Sequence, residues 1–370
     1  PFARGADTPP AMAADHRALA REAARKAIVL LTNRDAVLPL PATARRIAVV
    51  GPLADARDQM LGPWWGAGNR DEAVSILDGL RAARPDADIR HAAGVAIDSG
   101  DDNDDGGGIA EAVATARDAD IVILCLGEAA AMSGEAASRA DPGLPGRQGA
   151  LADTILALDK PTVLVLSSGR PLIATDVIGR ADAALATWFL GSEAGHAVAD
   201  ILTGAHGPTG RLPVSWPAAL GQVPIFHARR PTGRPPRAEE HYSSKYLDAP
   251  VAPLFPFGHG LSYGDVAYRN LRVTPEAAAR DGAVAVTVDL SNDGDRAVEE
   301  TVLLFVRDPV ASLSRPLLEL KGATRITVPA GGTATAALSL DIADLAFVGL
   351  DGALRVEAGA YEICVGPNAD

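Results

Sequence analysis

The chain has 370 residues, 48% hydrophobic and 22% charged, which is an ordinary globular composition and enough length for two domains. A formal charge of −13 excludes the broad basic surface that nucleic acid or an anionic membrane calls for, and leaves a neutral substrate such as a sugar compatible. No apolar run approaches the ~20 residues of a membrane span. The chain begins "PFARGADTPP", with neither methionine nor a charged-then-apolar leader, and reads as the middle of something longer.

The first two hundred residues alternate between helical and strand patterns. "HRALAREAARKAIVLLTN" is an amphipathic helix running into a short apolar segment, and "RRIAVVGP" is a buried strand. "AVSILDGLRAARP" and "IAEAVATARDAD" are helices, the second leading into the strand "IVILCLG". "RQGALADTILALDK" is a helix before the strand "PTVLVLSSG", and "DAALATWFL" is a strand before the helix "HAVADILTG". Helices between short apolar strands predict a mostly parallel sheet covered on both faces.

Pro, Gly and Arg dominate residues 205–262, in "GPTGRLPVSWP" and "RRPTGRPPR", which predicts an extended connector rather than a packed unit. From about residue 265, "VAVTVDLSND", "EETVLLFVRD", "LKGATRITVPAGGTATAALSLD" and "GAYEICVG" are alternating segments split by turn residues. That spacing predicts an antiparallel β-sandwich of roughly seven strands. Cys125 and Cys364 both lie in apolar runs and are expected as buried thiols.

Ligands of an open α/β sheet bind outside the carboxyl ends of its strands, which singles out the loops 51–70, 127–147 and 167–175. The first holds "MLGPWWGAG", where one of the adjacent Trp64 and Trp65 is expected to stack on a sugar ring and the other to be buried. The third holds Arg170, read as a brace for its loop. "IAVVGP" is not followed by G-x-G-x-x-G and is no nucleotide-binding turn. Asp101, Asn103, Asp105 and Gly106 fill positions of a calcium loop, but Ala112 stands where a glutamate is required and Glu111 falls one short, so a solvated loop is expected.

The loop "GEAAAMSGEAASRADPGLPGRQ", residues 127–148, offers Glu128 and Glu135 directly after an apolar strand. A glutamate used as a general acid needs burial, which a loop covered by a partner domain can supply. By composition alone, two solvated glutamates are the ordinary reading.

The ordered segments "IAVVGPLAD", "MLGPWWGAG", "GEAAAMSGEAASR…LPGRQ", "PTVLVLSSGRPL", "GRLPVSWP", "YSSKYLD", "LFPFGHGLSY" and "SLSRPLLELKGATRITVPAGG" resemble the C-terminal half of glycoside hydrolase family 3, of the periplasmic bacterial β-glucosidase type. The resemblance implies an α/β fold: an (α/β) sandwich domain at 14–215, a linker at 216–264 and an all-β fibronectin type III-like domain at 265–370. It further implies an N-terminal (β/α)8 barrel that carries the nucleophile and that nothing in this chain resembles. It places the general acid/base of a retaining exo-β-glucosidase on Glu135 and leaves Glu128 a structural role. Trp64 and Trp65 become candidate substrate contacts, with Trp64 expected over the cleft mouth and Trp65 in the core, and no cofactor or metal is implied. The implied partners are a β-glucoside or oligosaccharide and the barrel, not nucleic acid or membrane, and the implied location is periplasmic or secreted. His259 occupies a place often aromatic in the family. The alternatives are a non-catalytic carbohydrate-binding or scaffold module, or a β-xylosidase of the same family. With one carboxylate of the pair, the chain alone is expected to hydrolyse no aryl β-glucoside.

Overall fold

A computed structural model describes residues 13–98 and 107–370; the acidic run that holds the calcium-loop positions 101–106 lies outside the described residues. Helix α1 (Ala14–Ala27) leads into β1 (Val29–Asn33). There follow β2 (Arg46–Val50), α2 (Ile76–Ala83), β3 (Asp88–Ala92), α3 (Gly107–Arg117), β4 (Ile121–Gly127), α4 (Gln148–Leu156), β5 (Thr162–Ser167), α5 (Thr175–Arg180), β6 (Ala183–Ala186) and α6 (Ala194–Thr203). The six strands form one sheet in the order β1-β6-β5-β4-β2-β3, in which only β1 runs antiparallel to its neighbour.

Period-two alternation sends the two faces of this sheet into separate cores. Val49, Ile123, Cys125, Val165 and Leu185 face α1, α2 and α6. Val50, Leu124, Leu126, Leu164 and Leu166 face α3, α4 and α5. Every residue of β4 is buried, as expected of a central strand covered on both sides. Cys125 lies within it, and burial pushes its thiol well above the ordinary range.

The connector is less extended than its composition suggests. Trp216 is fully buried in the second core, its ring centroid 6.1 Å from that of Trp188, and its indole N–H donates to the Leu172 carbonyl at 2.8 Å. His259 stacks on Phe255 at 4.5 Å, and its Nε2 lies 2.8 Å from the Leu31 carbonyl, so that nitrogen donates. Burial holds its pKa below the usual histidine value.

Beyond the connector lie β7 (Val266–Thr274), β8 (Ala283–Asn292), β9 (Val298–Arg307), β10 (Glu319–Val328), β11 (Thr333–Asp341), β12 (Phe347–Val348), β13 (Leu354–Arg355) and β14 (Glu362–Gly366). Two three-stranded antiparallel sheets, β10-β9-β14 and β11-β8-β7, pack face to face, and β12 and β13 pair with each other. Ile363 and Val365 of the edge strand β14 turn to the core, so Cys364 faces solvent and is not the buried thiol expected. Arg211 reaches across to Glu300 of β9 at 2.6 Å, and the Tyr268 hydroxyl donates to the other oxygen at 2.7 Å, tying the sandwich to the connector.

Candidate active site

Strand order brings the three loops together: β4 lies between β5 and β2, and all three run parallel, so the segments after their carboxyl ends are neighbours. The loop after β4 is closed at its base by Gln148. Its side-chain oxygen accepts from the Gly127 N–H at 2.8 Å and its amide nitrogen donates to the Gly127 carbonyl at 2.8 Å. Gly127 has φ +142°, and a Cβ there would overlap the Ser167 carbonyl of β5. A side chain at this strand end is therefore excluded.

Glu128 follows at once and is fully buried. It accepts from the Ser133 hydroxyl at 2.8 Å and from Arg139 at 2.8 Å, and Nε of Arg170 lies 3.1 Å from its Oε1. A buried carboxylate is tolerated only when paired and hydrogen-bonded in this way. The same Arg170 donates through Nη2 to the carbonyls of Met132 and Ala137, the latter at 2.7 Å. Arg170 thus braces the neighbouring loop after β4, rather than its own loop as expected from the sequence. From the other side, the Gln59 side chain of the β2 loop accepts from the Ala130 N–H at 2.8 Å.

Glu135 sits at the tip of this braced loop, exposed and, among the described residues, without a hydrogen-bond or ion-pair partner. It is flanked by Gly134 at φ +99° and Ala136 at φ +58°. The tip lies against the β2 loop: a Cβ on Gly134 would stand 3.0 Å from Pro63 and 3.5 Å from the indole of Trp64. Trp64 is 73% exposed. Trp65 is 37% exposed with the Arg70 guanidinium 4.3 Å from its ring centroid, so it is not the core residue expected. The cation holds the ring at the surface instead.

The structure therefore brings Trp64 against Gly134, the residue before Glu135, and separates Glu128 from solvent. Sequence reading missed Gln148, Ser133 and Gln59 as supports of the loop. Gln148 and Gln59 carry no local signal, because their partners lie 21 and 71 residues away, and the five-residue spacing of Ser133 from Glu128 matches no regular element.

Residues 28–263 match the glycosyl hydrolase family 3 C-terminal domain, and residues 300–369 a fibronectin type III-like domain. The chain belongs to glycoside hydrolase family 3. It is similar to a periplasmic β-glucosidase of Salmonella typhimurium, with 38% identity across 95% of this chain and 48% of that protein. It is 34% identical to a β-xylosidase of Formosa agariphila, across 96% of this chain and 49% of the relative. A β-glucosidase from Listeria innocua, solved in complex with isofagomine, matches with a TM-score of 0.90 at 32% identity, covering 97% of this chain and 49% of that one. The chain spans about half the length of the curated family 3 relatives it matches.

Proposed function

We propose that this chain is the C-terminal part of a retaining, exo-acting β-glucosidase that hydrolyses terminal non-reducing β-D-glucosyl residues, with Glu135 as general acid/base. The observation that carries the reading is the placement of an exposed glutamate, unpartnered among the described residues, in a loop braced at the carboxyl end of the central strand. Retaining hydrolysis needs two carboxyl groups ~5–5.5 Å apart, one as nucleophile and one as acid, then base. Glu135 supplies the second, and the nucleophile belongs to the (β/α)8 barrel that the family resemblance implies. Trp64 stands beside the tip, where an indole offers a leaving-group sugar an apolar face.

The connector offers a surface for the barrel to cover. Leu220, Val223, Phe226, Tyr242 and Leu247 are all exposed there. The named activity of the Salmonella relative supports glucose as the sugar and the periplasm as the location. The Formosa relative favours a second reading, a β-xylosidase with the same roles.

The test is Glu135→Ala in the complete enzyme. Removal of a general acid costs about 10²- to 10⁴-fold where the leaving group must be protonated. Alkyl glucosides and disaccharides should lose that factor in kcat/KM. Glucosides of strongly acidic phenols should be spared at the first step, and azide should restore their turnover. A uniform loss across leaving groups without azide rescue would remove Glu135 from this role.

A further inference from the structure

Glu135 is carried by a turn that holds itself weakly, closed by a long hydrogen bond of 3.4 Å from the Ala137 N–H to the Gly134 carbonyl. Ala136, directly after Glu135, has φ +58°, a left-handed conformation that costs a residue with a Cβ roughly 1–2 kcal/mol. Such a residue persists only where its surroundings over-determine it. Besides that bond and the contact of Gly134 with Pro63 and Trp64, one side chain grips the turn by hydrogen bonds from another loop. Arg170, from the loop after β5, donates through Nη2 to the carbonyls of Met132 and Ala137, which bracket Gly134, Glu135 and Ala136. Through Nε it is tied to the buried Glu128, which Arg139 of the same loop also grips. An arginine that only neutralised Glu128 would need none of the carbonyl bonds. These bonds are directed at the turn.

We propose that Arg170 is a positioning residue for the acid/base step, setting through Glu128 and the two loop carbonyls where the Glu135 carboxyl stands over the scissile bond. The proposal rests on the acid/base reading of Glu135. Proton transfer to a leaving oxygen requires a near-attack geometry, and a misplacement of about 1 Å can cost about 10²-fold. Planarity and several fixed donors let one guanidinium serve a carboxylate and two carbonyls together. A lysine ammonium keeps the charge but lacks that fork.

The decisive variant is Arg170→Lys in the complete enzyme. Its kcat/KM for a β-linked glucose disaccharide should fall about 10- to 100-fold, with kcat carrying the loss and KM nearly unchanged. For 2,4-dinitrophenyl β-glucoside, whose phenolate leaves unassisted, kcat/KM should change little. In a Glu135→Ala background the same substitution should cost nothing further, because residues acting as a unit are non-additive. Arg170→Ala should behave likewise and recover part of its disaccharide activity when guanidinium is added. If Arg170→Ala fails to fold, Arg170→Lys alone decides. Equal losses on both substrates, or the same factor in both backgrounds, would make Arg170 a purely structural brace and overturn the proposal. If Glu135→Ala itself shows no dependence on the leaving group, the acid assignment falls first, and this proposal falls with it.

Discussion

Glu128 and Glu135 share one loop but should fail in opposite ways when removed. Glu128 is fully buried and accepts hydrogen bonds from Ser133 and Arg139 at 2.8 Å, with Arg170 Nε 3.1 Å away. Truncating one partner of a buried ion pair costs about 3–5 kcal/mol when the other charge is left stranded. Here the arginine side chains remain 21% and 23% exposed and can turn to water, which lowers the expected cost. For Glu128→Ala we expect about 2–3 kcal/mol of local stability, a factor of roughly 30 to 150 at ~1.4 kcal/mol per tenfold. Hydrogen exchange followed by mass spectrometry in the complete enzyme reads this directly, since amides of β4 and its loop exchange through local opening. Peptides covering 121–148 should lose protection by that factor, while peptides of β8, in the separate antiparallel sheets, serve as the control. Glu135→Ala, at an exposed site without a partner among the described residues, should change protection by no more than ~0.5 kcal/mol while cleavage of disaccharides is lost. Unchanged protection in Glu128→Ala would refute the structural role. Azide rescue of Glu128→Ala but not of Glu135→Ala would reverse the two assignments.

Trp64→Ala in the complete enzyme should weaken kcat/KM for disaccharides about 2- to 10-fold, from a stacking contact of ~0.5–1.5 kcal/mol, and affect aryl glucosides less; equal losses would make the indole structural. His259 gives a pH prediction. Burial lowers its folded pKa, so below the unfolded value of about 6.5 the unfolded chain takes up a proton that the folded imidazole resists, and stability falls as pH drops towards the folded pKa. His259→Phe keeps the stack on Phe255 and gives up the bond to the Leu31 carbonyl, about 1 kcal/mol at any pH. Its unfolding midpoint should therefore lie lower at pH 7.5 and decline less steeply below pH ~6.5 than the parent's; an equally steep decline would clear His259 as the cause.

Local pattern alone determined much of this protein. "IVILCLG" is a central strand because a fully apolar run between helices suits a two-sided parallel sheet, and β4 is buried throughout. The alternation of "AVAVTVDLSN" gives β8 its inward and outward faces, with Val284, Val286, Val288 and Leu290 all buried. Elements without such a pattern were missed. Strand β3 is an edge strand reading "DIRHA", exposed on one side and short of apolar residues; α5, with six residues, is too short to show a helical period. Strand β6 stops at Ala186, where "DAALATWFL" predicted a longer run, because Trp188 adopts φ +55° and leaves the sheet. The length of the glutamate loop and its place after β4 were legible, and the family motif singled out Glu135 within it. The environment of each carboxylate was not. Arg170 meets Glu128, Gln59 meets Ala130 and Pro63 meets Gly134 only because β2, β4 and β5 are neighbours in the sheet. Strand order is a non-local property, fixed by how helices cover both faces. It buries one glutamate among arginines and leaves the other free at the tip.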